Sequence, residues 1–272
     1  MAKKATSTTK RAKKPAASTT SAKKTTTVTR STAASTRGSW WSTLVGPAPT
    51  GRTPIGAVVA EFVGTFMFAG IILAASGQPI IILFALAAIV LAVGHLSGAH
   101  VNPAISIAAW ATRQITAVRM AAYVVAQVLG AMLAYVVLNW FLKGTVDESA
   151  AMLGQATELF KVSALVEGKE WYAFWAEMLG AAVFGFGAAS VVSGARRGYA
   201  AAYTFAGSLF VGLIIGGKTA ILNPAVAVAV GGIDFTGAVA WPLAVWGVAA
   251  VVGATVGMFL YRYVQKDVAT TV

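Results

Sequence analysis

From Gly56 to Arg262 the chain is dominated by apolar stretches of roughly twenty residues, separated by short polar or glycine-rich intervals. A run of that length is enough for a helix to cross the ~30 Å hydrocarbon core of a bilayer. The pattern predicts spans over 56–76, 79–98, 117–141, 171–194, 199–216 and 238–262. All six are expected to be helical, because an isolated segment in lipid must satisfy its own backbone hydrogen bonds. Two further apolar stretches, "ISIAAWAT" from Ile105 and "VAVAV" from Val226, are too short to cross. Each follows an Asn-Pro-Ala triplet, Asn102-Pro103-Ala104 and Asn223-Pro224-Ala225. Proline is welcome at the first position of a helix and asparagine before it is a good N-cap, so each triplet predicts the start of a half-helix.

The pattern also repeats. "AEFVGTFMFAG" from Ala60 opens the first span and "AEMLGAAVFGFG" from Ala176 lies in the fourth, each with a glutamate before a glycine-containing apolar stretch. Glu61 precedes Asn102 by 41 residues and Glu177 precedes Asn223 by 46, so each repeat carries its own glutamate and triplet. Three spans per half is an odd number, so the second half enters the membrane from the opposite side. That defines an inverted-topology repeat with halves at about 56–141 and 171–262. The two half-helices then come from opposite faces and meet near the midplane, N-terminus to N-terminus. Non-helical backbone at that depth is tolerated where it is buried in protein or lines a wet cavity.

The electrostatics of such a junction suggest a job. Each helix N-terminus carries roughly half a positive charge, so two aimed at one point disfavour any cation there, including hydronium. The amides of Asn102 and Asn223 are placed to donate to an oxygen in transit. A water accepting from both points its hydrogens outward and interrupts a proton-conducting chain, one way to pass water while excluding protons.

Composition sharpens the class. The 272 residues are 57% apolar and 11% charged, with a mean hydropathy of +0.73, which points to an integral membrane protein. The net charge of +12 comes from a tail: eleven of the 21 Lys and Arg lie between Lys3 and Arg52, where there is no acid. Residues 1–52, rich in Lys, Thr, Ser, Ala and Pro, are expected to be disordered and cytoplasmic, ending near the interface pair Trp40-Trp41. The tail resembles linker-histone tails in composition. Tethered to a membrane helix, it is better suited to anionic headgroups than to nucleic acid, and a solvated tail is the plainest reading. Residues 53–265 are expected to form the membrane domain and 266–272 a C-terminal tail. A cytoplasmic N-terminus also puts Arg113, Arg119, Arg196, Arg197, Arg262 and Lys266 inside, in keeping with the positive-inside rule, and the plasma membrane is the expected location. No cleaved secretory signal is expected, because the apolar run begins only near Gly56. The sequence has no cysteine, so disulfide, thiolate and Cys-metal chemistry are excluded. No nucleophile, base and orienting group occur together, so no enzyme, metal or cofactor is expected.

"GHLSGAHVNPA", the second "NPA", the glutamate-bearing first and fourth spans and "AQVLGA" from Ala126 together resemble the aquaporin and glycerol-facilitator family, the major intrinsic proteins. The resemblance covers about residues 56–264. It implies an all-α membrane fold of six transmembrane helices plus two re-entrant half-helices, one pore per subunit and a homotetramer. It further implies that Glu61 and Glu177 hold backbone amides of the re-entrant loops and that Gln127 braces the same region. The function it implies is a passive channel for water and small uncharged solutes such as glycerol.

The sequence departs from that pattern just after the second triplet. Most members have an arginine there, lining the outer constriction, whereas this chain has Val226. Glycerol facilitators usually follow with an aspartate, and here the residue is Ala227. An ungapped comparison puts Ile82, Val211 and Ala220 at the other constriction positions. An apolar ring of Ile82, Val211, Ala220 and Val226 would pass larger neutral solutes if wide, and would dewet if tight. Lys218, eight residues before Val226, offers charge at the outer mouth, against the plainer reading of a snorkelling lysine. His95 and His100 are five apart, which is not the i, i+4 metal spacing; packed loop residues are expected, with pH gating at His95 as the alternative. Two other classes use similar features: a secondary transporter with inverted repeats, and a non-conducting anchor whose working part is the basic tail.

Overall fold

The computed structural model describes residues 49–145 and 158–271, without the side chains of Thr145 and Thr271. The basic tail, Trp40-Trp41 and the acids Asp147 and Glu148 lie outside the described residues. The chain forms α1 (Ile55–Ala74), α2 (Pro79–Ser97), α3 (Pro103–Ala111), α4 (Ala117–Thr145), α5 (Glu170–Val192), α6 (Gly198–Gly216) and α7 (Pro224–Ala229). The last span begins with α8 (Ala240–Pro242), passes through a π-helical segment (Leu243–Ala249) and ends in α9 (Ala250–Thr271). Six segments among the described residues are long and apolar enough to cross a membrane, and no strand occurs.

Prolines and left-handed residues punctuate the helices. α1 stops at Ser76 and Gly77, with φ of 54° and 65°, and α2 restarts with Pro79 in its first turn. α2 ends at Gly98, whose φ of +97° closes the helix in the way glycine permits most cheaply. Two ends differ from expectation. α4 runs to Thr145 rather than 141, and α9 continues through Lys266 to Thr271 instead of giving way to a tail, since no Gly or Pro interrupts "YVQKDVATT".

The two halves pack alike. α1 lies against α4 and α5 against α9, while α2 and α6 join the halves. At equivalent crossings a glycine faces a carbonyl of the neighbouring helix: a Cβ on Gly130 would strike the Phe62 carbonyl, and one on Gly257 the Ala182 carbonyl. This is how membrane helices, lacking a hydrophobic drive toward each other, gain close contact. Each half-helix packs on the last span of the other half, α3 on α9 and α7 on α4. Arg262 Nη1 ties α9 to the end of α3 by donating to the Thr112 carbonyl at 3.2 Å.

Alternation of the spans defines two faces. The terminal face carries the α2–α3, α3–α4 and α5–α6 connections; the distal face carries α1–α2, α4–α5 and the approach to α7. Exposed aromatics mark both ends: Trp140, Trp171 and Tyr172 near the distal face, and Trp110, Tyr199 and Tyr263 near the terminal one. Such paired girdles suit the two bilayer interfaces.

Candidate functional site

The two Asn-Pro-Ala loops meet inside the helical bundle, and Asn102 and Asn223 are 2% and 1% exposed. Each asparagine caps the half-helix it begins. Asn102 Oδ1 accepts from Ala104 N at 2.8 Å, and Asn223 Oδ1 accepts from Ala225 N at 3.1 Å and Val226 N at 3.4 Å. The side-chain amides reach across the junction. Asn102 Nδ2 donates to the Leu222 carbonyl at 2.7 Å and Asn223 Nδ2 to the Val101 carbonyl at 2.9 Å. An amide NH2 has two hydrogens, so each asparagine keeps one for another acceptor. Pro103 and Pro224 occupy the first helical turns, with Ala104 and Ala225 fully buried behind them.

The residues before the triplets are strained. Val101 has φ of 41° and Leu222 of 58°, a region bulky side chains avoid, especially β-branched ones. Buried carboxylates hold both in place. Glu61 accepts from His100 N at 2.9 Å and Val101 N at 2.6 Å; Glu177 accepts from Ile221 N at 2.9 Å and Leu222 N at 2.6 Å. Charge-assisted bonds of this kind are roughly twice as strong as neutral ones, which offsets the backbone cost.

Beyond this symmetry the halves differ. Gln127 Nε2 donates to Glu61 at 2.7 Å and to Ser106 Oγ at 2.9 Å, while the His100 ring pairs with Ser106 Oγ at 3.1 Å and stands edge-on to Tyr123. Glu177 has its two loop amides and no side-chain partner among the described residues. The first loop therefore rests on a polar network, and the second on its carboxylate and apolar packing against Leu222.

A cavity of about 460 Å³ opens from the distal face toward this junction. Ile82, Ala220 and Val226 line it, and Lys218 stands on its wall. Val211 does not: it is 46% exposed and off the wall, whereas Leu209 and Leu213 on either side line the cavity. A displacement of two positions turns a helical side chain by about 200°, so Val211 faces away from the cavity that its neighbours line. The cavity also takes in Phe160 and Val162 from the segment before α5, which the apolar periodicity did not single out. A second cavity, also about 460 Å³, lies toward the terminal face and is lined by His95, Arg196 and Arg197 among others. Trp246, turned inward by the π-helical segment, donates its Nε1 to the Thr219 carbonyl at 2.8 Å and so fixes the turn (Gly217–Thr219) that leads into α7. No group of three or more metal-ligating His, Cys, Asp or Glu occurs among the described residues.

Six spans in two inverted halves, joined by capped half-helices bonded across their N-termini, define an integral membrane protein with a re-entrant-loop junction. The profile of the family described as "Major intrinsic protein" matches residues 50–261, and the chain belongs to that family. Nodulin-26 of Glycine max is 31% identical over 237 residues, covering 79% of this chain and 80% of the relative. Aquaporin Z of Photorhabdus laumondii is 42% identical over a shorter stretch of 69 residues, 25% of this chain and 30% of the relative. Among solved structures, the aquaglyceroporin from Plasmodium falciparum superposes with a TM-score of 0.63 over 80% of this chain and 99% of that one; at 21% identity this bears on the fold alone.

Proposed function

We propose that the protein is a passive channel for water and small uncharged solutes such as glycerol, which excludes ions and protons. Family membership and the named relatives place it among channels for water or small solutes. The observation that carries the finer reading is the paired junction: two half-helix N-termini and two asparagine amides converge on one buried point. Positive partial charge there disfavours hydronium and other cations, while a neutral molecule escapes the penalty. The remaining amide hydrogen on each asparagine is available to an oxygen in transit. The cavities on either side supply approaches from the distal and terminal faces.

In this reading Asn102 and Asn223 are the pore donors, Glu61, Glu177 and Gln127 support the loops, and Ile82, Ala220 and Val226 form the constriction on the distal side. The chain assembles as a homotetramer in the plasma membrane with both termini cytoplasmic, and the basic tail contacts anionic headgroups. Stopped-flow shrinkage of proteoliposomes tests the channel, with water and glycerol measured in parallel. Flux of both is expected above that of protein-free vesicles. Flux at the protein-free level for both would overturn the proposal, and saturable transport dependent on an ion gradient would replace it with a secondary transporter.

A further inference from the structure

The distal cavity is graded from rim to floor. Its polar side chains, Ser76, Ser163 and Lys218, are all exposed. Deeper in, Phe68, Ile82, Leu209 and Val226 are exposed by only 2%, 4%, 2% and 1%, and every buried side chain on the wall is apolar. A hydroxyl or amino group descending past the rim therefore leaves its water, and no buried side chain replaces the lost hydrogen bond.

One side of the cavity is closed by a segment that crosses between the repeats. Phe160 N donates to the Leu73 carbonyl at the end of α1 at 3.1 Å, and Val162 N donates to the Val230 carbonyl just beyond α7 at 3.2 Å. The segment is thus pinned to the first half at one residue and to the second half two residues later. The Phe160 ring fills the space over Gly77: a Cβ there would come within 2.6 Å of the ring, and Gly77 has φ of 65°. Ring and turn fit each other, so the ring is a fixed part of the wall.

We propose that this cavity is a binding site for small neutral solutes that carry an apolar face, with Phe160 as a specificity-determining wall. The inference rests on the channel reading and deepens it: the pore ranks solutes by how few polar groups they must dehydrate, more than by size. A methyl group gains contact with Phe160, Ile82 and Val226, whereas a hydroxyl or amino group in the same place loses a hydrogen bond that the site does not return.

Isosteric pairs separate polarity from size. Acetamide and urea differ by a methyl for an amino group; propane-1,2-diol and glycerol differ by a methyl for a hydroxymethyl. Full-length protein in proteoliposomes is tested by stopped flow with all four solutes and water, each rate taken as the increment over protein-free vesicles. Acetamide and the diol are expected to exceed urea and glycerol by about threefold to tenfold, the effect of one unreturned hydrogen bond. Phe160→Asn should bring both ratios toward one and Phe160→Leu should preserve them. Gly77→Ala, which crowds the ring without changing polarity, should slow the diol more than water. Ratios at or below one in a conducting protein overturn the inference and leave the channel standing. Ratios unchanged in Phe160→Asn, or an unchanged diol-to-water ratio in Gly77→Ala, remove Phe160 from the role. Absence of all flux, water included, overturns the channel reading itself.

Discussion

Val226 takes the place after the second Asn-Pro-Ala where most of the family is expected to carry a guanidinium, and it is buried against the distal cavity. Val226→Arg is expected to reduce glycerol flux relative to water by about tenfold, equivalent to ~1.4 kcal/mol of added barrier. Parallel stopped-flow rates on the variant check this, and an unchanged ratio would remove Val226 from the constriction. The Asn-Pro order, the paired glutamates and the missing arginine were legible in the sequence because each has a fixed offset within the repeat. Other residues were not. Val211 was assigned by an ungapped count, and the structure turns it away from the cavity while Leu209 and Leu213 face in. Phe160 sits in a connection with no period to read, and its place is set by backbone bonds to Leu73 and Val230, far off in sequence.

At the scale of elements, helix contacts carry the fold. Gly257 meets α5 so closely that a Cβ would strike the Ala182 carbonyl, at the crossing equivalent to Gly130 on α1. Gly257→Val is expected to destabilise the protein by about 1–3 kcal/mol through overpacking. A lower thermal midpoint for the purified protein in detergent is the measurement, and an unchanged midpoint would show that the helices can separate at no cost. The six spans and both half-helices were readable from run length and from proline after asparagine. The π-helical segment was not, because nothing in "LAVWGVA" departs from an ordinary apolar helix; the inward turn of Trp246 toward the Thr219 carbonyl gives it a use.

At the scale of the whole molecule, charge and cysteine content matter more than any single contact. Residues 53–272 hold ten basic and nine acidic residues, so the membrane body is nearly neutral and the high isoelectric point belongs to the tail. With no cysteine anywhere in the chain, water flux through the proteoliposomes is expected to be unaffected by mercuric chloride. Inhibition reversed by a thiol reductant would contradict this. The inverted symmetry was legible from two glutamates and two triplets, but the exchange of asparagine bonds between the loops was not, since it depends on how the halves dock. That exchange has a consequence for biosynthesis. Asn102 is made 120 residues ahead of Leu222, the carbonyl its amide will meet. At ~5–20 residues per second the amide waits roughly 6–24 s for its acceptor. Through that interval the nascent first half holds an unfinished polar loop at membrane depth, and the arrival of the second half completes it.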